Sequence, residues 1–463
     1  MPCMPTAGVD VPRVVVIGGG ISGLATAAFL EEVDVTVLES AEVAGGNVRT
    51  DIVDGRVLDR AANGWLDSEP AMKRLLARLG LDTAITPASD RSATRWVYAN
   101  GEMHAVPLSP LALLKSPLIP WYAKLRLLFE PLMPRGRKGV DETVEDFVQR
   151  RLGPSFVDRL VAPMVAGIYA ADPGHLSLAA AFPKMAQMEA EYRSLFLAML
   201  AKRGGGAPAG HLETLPRGAG QLTDALIERL GEKVQCERPA EGLTKTKDGW
   251  RVHTPTGDLD ADAVVLAAPA PVCAMLMRGL DPGVANAFDE IPYAPIAVVV
   301  TAWPAGAFDR SPEGFGVLVA RGEDIGVLGM LFTNEAFPNQ SPEGEFLTRT
   351  MVGGAANPAA AALPHQELLD LVFQAHERFL GNRRAEPTLV RAYHHPKGIP
   401  QYTPGHPARV ATIANAQDRF GGLFFAGNHL AGIGVKDCAA TGERIAADVR
   451  GWLDITAPTE TLG

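Results

Sequence analysis

The sequence predicts an α/β fold, α+β overall, in which a nucleotide-binding sheet is interrupted by inserted domains. A β-branched apolar run, Arg13 to Ile17, is followed by a glycine turn, an Ala/Leu-rich helix over 22–32 and a second buried strand over 35–38. Further buried strands are predicted in the middle of the chain, at 261–268, and near its end, at 423–426. Strands so far apart can join one parallel sheet only if the residues between them form separate domains. A chain of 463 residues also exceeds what one hydrophobic core normally holds.

The composition is that of a folded globular protein and disfavours several classes. The chain is 47% hydrophobic and 21% charged, with a formal net charge of -10. Nucleic-acid-binding proteins usually carry the opposite charge balance, so no nucleic-acid partner is expected. The four cysteines have no metal-ligand spacing, so we expect reduced thiols and no metal site. Neither a signal peptide nor a bilayer-spanning run is recognisable, which predicts a cytoplasmic chain or one attached to a membrane surface.

The turn after the first strand carries the glycines of a Rossmann-like dinucleotide-binding motif. Gly18 permits the tight turn, Gly20 lets the backbone approach a pyrophosphate, and Gly23 lets the helix pack closely on the strand. The unpaired N–H groups at the helix N-terminus attract the phosphates. Glu39, at the end of the second strand, is placed to accept hydrogen bonds from a ribose, and its charge disfavours a 2′-phosphate.

Two further glycine turns favour FAD over NAD as the dinucleotide. Gly45-Gly46 follows shortly after Glu39, and a glycine pair there lets the chain pass close to a bound cofactor. Near the end of the chain, Gly427 to Asp437 forms a glycine-rich turn before a helix. The N-terminus of that helix would stabilise negative charge on a reduced flavin. No cysteine or histidine is placed to bond the flavin, so FAD is expected to be held non-covalently.

Segments along nearly the whole chain resemble the protoporphyrinogen oxidase family, within the amine oxidase–like flavoprotein superfamily. The order of Glu39 and then Gly45-Gly46 is similar to the extended FAD motif of that superfamily. The most specific segment is Ile399 to His406, IPQYTPGH. The other similar segments occur in the family's order, at 167–172, 176–183, 191–195, 216–222, 294–298, 314–318, 351–354 and 425–438.

The resemblance implies three domains. They are a Rossmann-like FAD-binding domain made of 11–88, 212–270 and 408–455, a helical membrane-binding domain at 96–198, and a mixed-sheet substrate domain made of 89–95, 199–211 and 271–407. Pro107 to Arg137 mixes leucine, aromatic and basic residues, which fits an interfacial helix, although a helix packed inside the protein along a substrate tunnel has the same pattern. The expected location is the cytoplasm, peripheral on the inner face of the cell membrane, and a homodimer is compatible with the sequence.

The resemblance also implies which residues contact cofactor and substrate. The implied FAD contacts are Gly18, Gly19, Gly20, Ile21, Ser22, Gly23, Glu39, Ser40, Gly45, Gly46, Asn47, Ala61, Ala62, Asn63, Gly64, Val234, Gly427, Asn428, Ile433, Gly434 and Val435. Arg95 would pair with a propionate of a tetrapyrrole through its planar fork. Phe315, Gly316, Leu318 and Met351 would form the walls around the macrocycle. Without the resemblance, Arg95 would be interpreted as a solvated hairpin arginine and the apolar residues as ordinary core.

The chain departs from the family pattern around the same cofactor. Val43 stands where the superfamily often has Arg, and Ala61-Ala62 stands where the family usually has Gly-Pro. Lys436 stands where Asn is common. Val43 removes one expected contact to the pyrophosphate. With Ala61-Ala62, the family pattern no longer predicts the path of the backbone near the flavin edge.

The implied activity is oxidation of protoporphyrinogen IX to protoporphyrin IX in haem biosynthesis, by removal of six electrons. Oxygen would be the acceptor, giving hydrogen peroxide. The flavin does this chemistry, so no general base is named, and His394, His395 and His406 are candidates by residue type only. One alternative is oxidation of coproporphyrinogen III to coproporphyrin III, which additional Arg or Lys in the pocket would favour. Another is a flavin- or porphyrin-binding protein without turnover. The order of the segments disfavours an amine oxidase.

Overall fold

The computed structural model of the protein describes residues 11–137, 139–195, 197–198 and 210–455. A sheet of five parallel strands confirms the α/β class. In sheet order the strands are Val234–Gln235, Asp34–Leu38, Arg13–Ile17, Ala263–Leu266 and Leu423–Phe425. Segments from the start, middle and end of the chain therefore lie side by side, as the sequence predicts. The middle strand is shorter than expected, because Leu259–Ala261 belongs to a separate antiparallel sheet.

The helix after the first strand covers Ile21–Ala28 and ends four residues before the predicted end at position 32. Leu30 and Val33, which follow it, are buried in the core, so tertiary packing overrides local helix propensity. The helix packs against the C-terminal helix Val435–Trp452. A Cβ on Gly442 would lie 2.7 Å from the Cβ of Ala25, so glycine is needed for this close crossing.

A second, mixed sheet has seven strands. In sheet order these are Leu389–Pro400, Tyr293–Pro304, Glu345–Gly353, Val327–Phe332, Gly316–Val319, Arg95–Ala99 and Glu102–Ala105. Only Gly316–Val319 and Arg95–Ala99 pair in parallel; the other neighbours are antiparallel. One face packs on the helix His365–Leu380. The other face contacts the hairpin of Thr50–Val53 and Arg56–Asp59, which follows the glycine pair.

The region between the hairpin at 95–105 and residue 192 is helical, but its first part differs from the prediction. The helices are Pro110–Lys115, Trp121–Leu127, Val144–Arg151, Pro154–Phe156, Ala162–Tyr169, Leu178–Ala181 and Pro183–Tyr192, with a π-helical turn at Val157–Val161. Pro107 to Arg137 is therefore not one interfacial helix. Two short helices and a 3-10 turn at Glu130–Leu132 replace it, because Pro117, Pro120 and Pro131 interrupt the backbone hydrogen bonding.

The remaining elements surround the first sheet and connect it to the second. They are the strands Trp65–Leu66, Thr86–Pro87, Leu212–Thr214, Gly242–Lys245 and Trp250–His253, and the helices Pro70–Arg78, Gly220–Leu230, Ala270–Met277, Pro282–Asp289, Thr333–Ala336 and His406–Phe420. Within the described ranges, no helix has the length and hydropathy needed to cross a membrane. The domain boundaries stay a prediction. The one between 95 and 96 falls inside a strand, and 199–209 lies outside the described residues.

Candidate cofactor and substrate site

The first glycine turn leaves open space in front of a helix N-terminus. A Cβ on Gly18 would lie 2.7 Å from the carbonyl carbon of Ala267, and one on Gly23 would lie 2.0 Å from the Gly18 oxygen. A Cβ on Gly20, by contrast, would meet no atom within 4 Å. The helix Ile21–Ala28 has no side chain capping its N-terminus, so its first N–H groups, including that of Ser22, face this space. The arrangement fits a bound pyrophosphate.

The glycine pair lies directly against this turn. The Gly45 N–H donates to the Gly19 carbonyl at 2.7 Å, and a Cβ on Gly46 would lie 3.2 Å from the Cα of Gly20. The two predicted glycine segments are therefore brought together although they are far apart in sequence. Val43 is 43% exposed beside them, so the chain presents an apolar side chain where the superfamily often has a guanidinium.

Glu39 is held at the end of its strand by neighbouring donors. Its Oε2 accepts from the Gly19 N–H at 2.9 Å, and its Oε1 accepts from the Ala41 N–H at 2.8 Å and from the Ser40 hydroxyl at 3.2 Å. Its own N–H donates to the Gln235 carbonyl at 2.9 Å, which places Val234 on the adjacent strand. A carboxylate has lone pairs beyond these bonds, so it can still accept from ribose hydroxyls.

The C-terminal turn forms a second helix N-terminus at the same edge of the parallel sheet. Gly427 has φ 140° and lies two residues after the end of the last strand, and Gly434 precedes the helix Val435–Trp452. The Gly434 N–H donates to Asp437 Oδ2 at 3.2 Å, which caps the helix, and Lys436 pairs with the same carboxylate. Ligands of open α/β sheets bind beyond the carboxyl ends of the strands, which is where both turns lie.

The segment predicted to run along the flavin edge lies between the two sheets. Residues 61–64 are all half-buried. Arg349, from the seven-stranded sheet, donates through Nη2 to the Ala61 carbonyl, and His395 Nε2 lies 3.0 Å from the Arg60 carbonyl. A Cβ on Gly64 would lie 2.3 Å from the Glu213 carbonyl, so glycine is required there. Asn47 adds a further link between the sheets, donating to the Gly398 carbonyl at 3.2 Å.

Several of the segments that carry the family resemblance contact one another. Gln401 donates through Nε2 to the Tyr169 carbonyl at 2.8 Å, and the Ala355 N–H donates to the Ala170 carbonyl at 2.7 Å. The Tyr402 hydroxyl donates to the carbonyl of Asn428, in the C-terminal turn. Segments 167–172, 351–354, 399–406 and 425–438 therefore meet at one place. Ile433, also in that turn, packs against the core of the helical region.

Four of the predicted substrate residues, Arg95, Gly316, Leu318 and Met351, share one face of the seven-stranded sheet, and Phe315 directly precedes one of its strands. Leu318 is paired with Gly329, and Gly329 is paired with Met351, so the three form one row across the strands. In the adjacent row Arg95 is paired with Gly316, and its guanidinium lies 5.7 Å from the centroid of the Phe315 ring. Cross-strand partners project from the same face of a sheet. The partly buried Leu318 and Met351 make this row apolar, the exposed Arg95 lies at the end of the adjacent row, and we call the group the trough. Leu318 also packs against the helix Ala162–Tyr169, since a Cβ on Gly167 would lie 2.8 Å from its Cδ2.

The three histidines have different environments. His394 Nδ1 lies 2.9 Å from the Ala361 carbonyl, and His395 is bound to the Arg60 carbonyl. His406 is stacked on Tyr402, with ring centroids 4.2 Å apart, and burial lowers its pKa to about 4. A neutral ring in such a stack is explained by packing, so His406 is disfavoured as a general base at neutral pH.

The structure adds site residues that the sequence reasoning missed. Arg349 and Asp59 are buried beside segment 61–64, and Gly329 is needed in the trough because a Cβ there would lie 2.6 Å from the Val317 carbonyl oxygen and 2.9 Å from Leu318 Cδ2. A signal for Arg349 was present in the sequence. It lies between Leu347 and Met351 in a strand, and a charged residue at an inward position of an alternating pattern indicates a buried polar contact.

Comparison with known proteins agrees with this architecture. The chain is 30% identical over 472 residues to a chloroplastic protoporphyrinogen oxidase of Nicotiana tabacum, covering 95% of this chain and 85% of that protein. It is 31% identical over 507 residues to a coproporphyrinogen III oxidase of Propionibacterium freudenreichii subsp. freudenreichii, covering 97% and 94%. A solved structure from Exiguobacterium sp. 255-15 has the same fold, with a TM-score of 0.82 at 24% identity and 96% and 100% coverage.

The family itself is established by a match over most of the chain. Residues 21–450 match the model of the flavin containing amine oxidoreductases. The match includes Gly23, Glu39, the Gly45-Gly46 pair, the C-terminal glycine turn and the trough residues, which agrees with FAD as the cofactor of this site. The individual site residues stay a prediction. The chain is therefore a flavoprotein oxidoreductase that belongs to the flavin-containing amine oxidoreductase family.

Proposed function

We propose that this protein oxidises protoporphyrinogen IX to protoporphyrin IX in haem biosynthesis. The observation that carries the proposal is the trough formed by Leu318, Gly329 and Met351, with Arg95 at its end, on the sheet face that also carries the contact to Ala61. An apolar macrocycle with acidic side groups needs apolar walls and a cation at the rim. Relatives about 30% identical over nearly the whole chain are named as oxidases of such macrocycles.

The residues of the site would act by binding, orientation and exclusion of water. Arg95 would fix a propionate at the exposed end, and Leu318 and Met351 would hold the ring system against the cofactor side. Bound FAD supplies the chemistry, which is removal of two electrons at a time, so three rounds give the six-electron oxidation. We propose oxygen as the acceptor, with three molecules reduced to hydrogen peroxide for each porphyrin formed.

The test is porphyrin formation by the purified FAD-loaded protein under air. Protoporphyrinogen IX and coproporphyrinogen III are supplied separately, and porphyrin fluorescence and hydrogen peroxide are followed together. Faster oxidation of protoporphyrinogen IX, with matching peroxide, is the expected result. A preference for coproporphyrinogen III would transfer the proposal to that substrate. Rates no higher than autoxidation with either compound would refute porphyrinogen oxidation and favour a binding protein.

Substitution of Arg95 tests the proposed contact with a propionate. Arg95→Ala should raise the KM for protoporphyrinogen IX by about 10-fold or more, since a charge-assisted hydrogen bond contributes about 1.5–3 kcal/mol, while kcat changes less. Arg444→Ala, an exposed arginine on the C-terminal helix, is the matched control. Unchanged KM in the Arg95 variant would contradict the propionate role.

We further propose that the protein attaches peripherally to a membrane surface, at the inner face of the cell membrane. Large apolar side chains are exposed along the two short helices and the 3-10 turn, and we call them the apolar patch; they are Leu108, Leu111, Leu114, Trp121, Tyr122, Leu125, Leu128, Phe129 and Leu132. Trp121 is 72% exposed, which does not fit a helix packed along an internal tunnel. Exposed apolar patches of this kind, bordered by basic residues, are typical of interfacial attachment. Arg135 and Arg137 supply the adjacent positive charge.

A further inference from the structure

We propose that Asp59 and Arg349 are positioning residues for the cofactor. They form a buried pair of charged side chains that holds the segment 59–64 beside the flavin and sets the charge there. The inference rests on FAD as the cofactor and is independent of the proposed substrate.

Arg349 provides the contact from the seven-stranded sheet. It lies in the strand Glu345–Gly353, two residues from the trough residue Met351 and on the same face, and it is 4% exposed. Its Nη2 donates to the Ala61 carbonyl, and its Nε has no hydrogen-bond partner among the described residues. Burying an arginine in this way is costly unless its charge is compensated.

Asp59 provides the contact from the other side. It ends the strand Arg56–Asp59 and is 1% exposed. Its Oδ1 accepts from the Thr50 hydroxyl at 2.5 Å and from the Ala219 N–H at 3.0 Å, whereas Oδ2 has no partner in the part of the chain that the structure describes. The segment that begins at Asp59 is thus fixed at its start by the hairpin and two residues later by Arg349.

The two charges act on each other. Burial raises the pKa of Asp59 and lowers the pKa of Arg349, and the attraction between the two side chains opposes both shifts. An arginine stays protonated even so, which keeps a positive charge inside the protein beside segment 61–64. Interactions between charges are strong in such a poorly solvated region. The charges of Asp59 and Arg349 therefore change the electrostatic potential at any group that is bound beside this segment.

The same segment has few restraints of its own. Ala61 and Ala62 have small side chains and no proline ring to fix the backbone. The hydrogen bond from Arg349 fixes that carbonyl, and His395 fixes the carbonyl before it. Without Arg349 the cofactor would bind to a less ordered surface, and part of its binding energy would be spent on ordering the segment.

The test compares Arg349→Met, Arg349→Lys and Asp59→Asn with the control Arg391→Met. Arg391 lies in the same cross-strand row as Arg349, since both are paired with Val300, but it is exposed. For each protein, FAD affinity is measured by titrating the apoprotein, and the midpoint potential of the bound flavin is measured with reference dyes. Neither readout requires a porphyrinogen, so failure of the proposed function leaves this test intact.

Opposite shifts in potential are the expected signature. Arg349→Met should weaken FAD binding by about 10-fold or more and lower the midpoint potential, since removing a positive charge disfavours the more negative reduced flavin. Asp59→Asn should raise the potential, because it leaves the positive charge uncompensated. Arg349→Lys should restore the potential while leaving binding weaker, as an ammonium lacks the planar fork. Arg391→Met should change neither quantity.

Shifts of the same sign in Arg349→Met and Asp59→Asn would overturn the proposal, because a general loss of structure would move both alike. Unchanged affinity and potential in both variants would also overturn it. Should Arg349→Met not yield folded protein, Asp59→Asn and Arg349→Lys decide the question. The proposal then requires a raised potential in Asp59→Asn, and an unchanged or lowered potential there refutes it.

Discussion

At the scale of single residues, the three motif glycines have two different physical roles. Gly18 and Gly23 are required by packing within the protein, since a Cβ at either position would overlap backbone atoms. Gly20 has an ordinary backbone conformation, φ -78° and ψ 175°, and no protein atom within 4 Å of a would-be Cβ. Its side of the turn is open toward the space assigned to the cofactor.

This difference gives a prediction that separates folding from cofactor binding. Gly20→Ala should leave the thermal stability of the apoprotein unchanged and weaken FAD binding, because the new methyl group enters only the cofactor space. Gly23→Ala should lower both. Titration of apoprotein with FAD and thermal unfolding of the apoprotein measure the two effects. Gly279→Ala, which also has no atom within 4 Å but lies between two helices away from the turn, should change neither.

The sequence could predict Gly18, Gly20, Gly23 and Glu39 because their chemistry depends on spacing next to one strand. It could not predict the contact between Arg349 and Ala61, since that contact depends on how two distant sheets meet. Hydrogen bonds between residues 288 apart follow from tertiary packing, and a single sequence carries no measure of that.

At the scale of elements, the helical region is held together by a buried cluster of charges. Arg151 is fully buried and bonds Glu189, and it pairs with Glu130 at 3.3 Å. Glu189 also bonds Arg150, whose second partner is Glu142. The cluster ties the helix Val144–Arg151 to the 3-10 turn that carries part of the apolar patch. Composition suggested a long basic and apolar helix here, but prolines and this cluster produce short elements instead.

Removing the central cation of that cluster should be strongly destabilising. Arg151→Met is expected to cost about 3–5 kcal/mol, because it leaves buried carboxylates facing an apolar side chain. Denaturant-induced unfolding measures the loss. Arg278→Met removes a surface pair, with side chains 62% and 39% exposed, and should cost less than about 1 kcal/mol. Equal effects of the two substitutions would contradict a special role for the buried cluster.

A buried histidine between a helix and the second sheet makes stability depend on pH. His376 is fully buried, with Nδ1 2.8 Å from the Val372 carbonyl and Nε2 2.8 Å from the Thr348 hydroxyl, and burial lowers its pKa from 6.5 to about 4. The unfolded chain therefore binds this proton more readily. The neutral form of His376 therefore contributes about 3 kcal/mol of pH-dependent stability to the folded state. This contribution is fully present above about pH 6.5 and is lost as the pH falls toward about 4.

His376→Leu should accordingly be less stable at neutral pH but lose less stability on acidification than the original protein. Thermal midpoints at about pH 7 and about pH 5 give this difference. The pH dependence of stability should be reduced rather than removed in this variant, because burial also lowers the pKa of His406 and His429. His175→Leu, at a side chain 81% exposed, should leave the pH dependence unchanged. A His376 variant with the original pH dependence would contradict this account.

At the scale of the whole molecule, the sequence predicts the parallel sheet better than the mixed one. Strands such as Arg13–Ile17 and Ala263–Leu266 are short, β-branched and buried on both faces, so the pattern alone identifies them. The strand Leu389–Pro400 is polar and half-exposed, as edge strands often are, but without an alternating apolar pattern it is hard to recognise as a strand. The order of the seven strands mixes distant segments, which only tertiary packing decides.

The apolar patch gives a prediction for the whole molecule, which is binding to anionic lipid vesicles. Such side chains bind the lipid interface by burying apolar area, and basic residues nearby add attraction to anionic headgroups. The protein should therefore sediment with vesicles of mixed neutral and anionic phospholipid, and more weakly at high salt. Trp121→Ala combined with Leu125→Ser should reduce the bound fraction, whereas Trp452→Ala, an equally bulky side chain 54% exposed on the C-terminal helix, should not. Equal binding by all three proteins would show that the patch does not contact lipid, and binding independent of salt would remove the electrostatic part of the proposal.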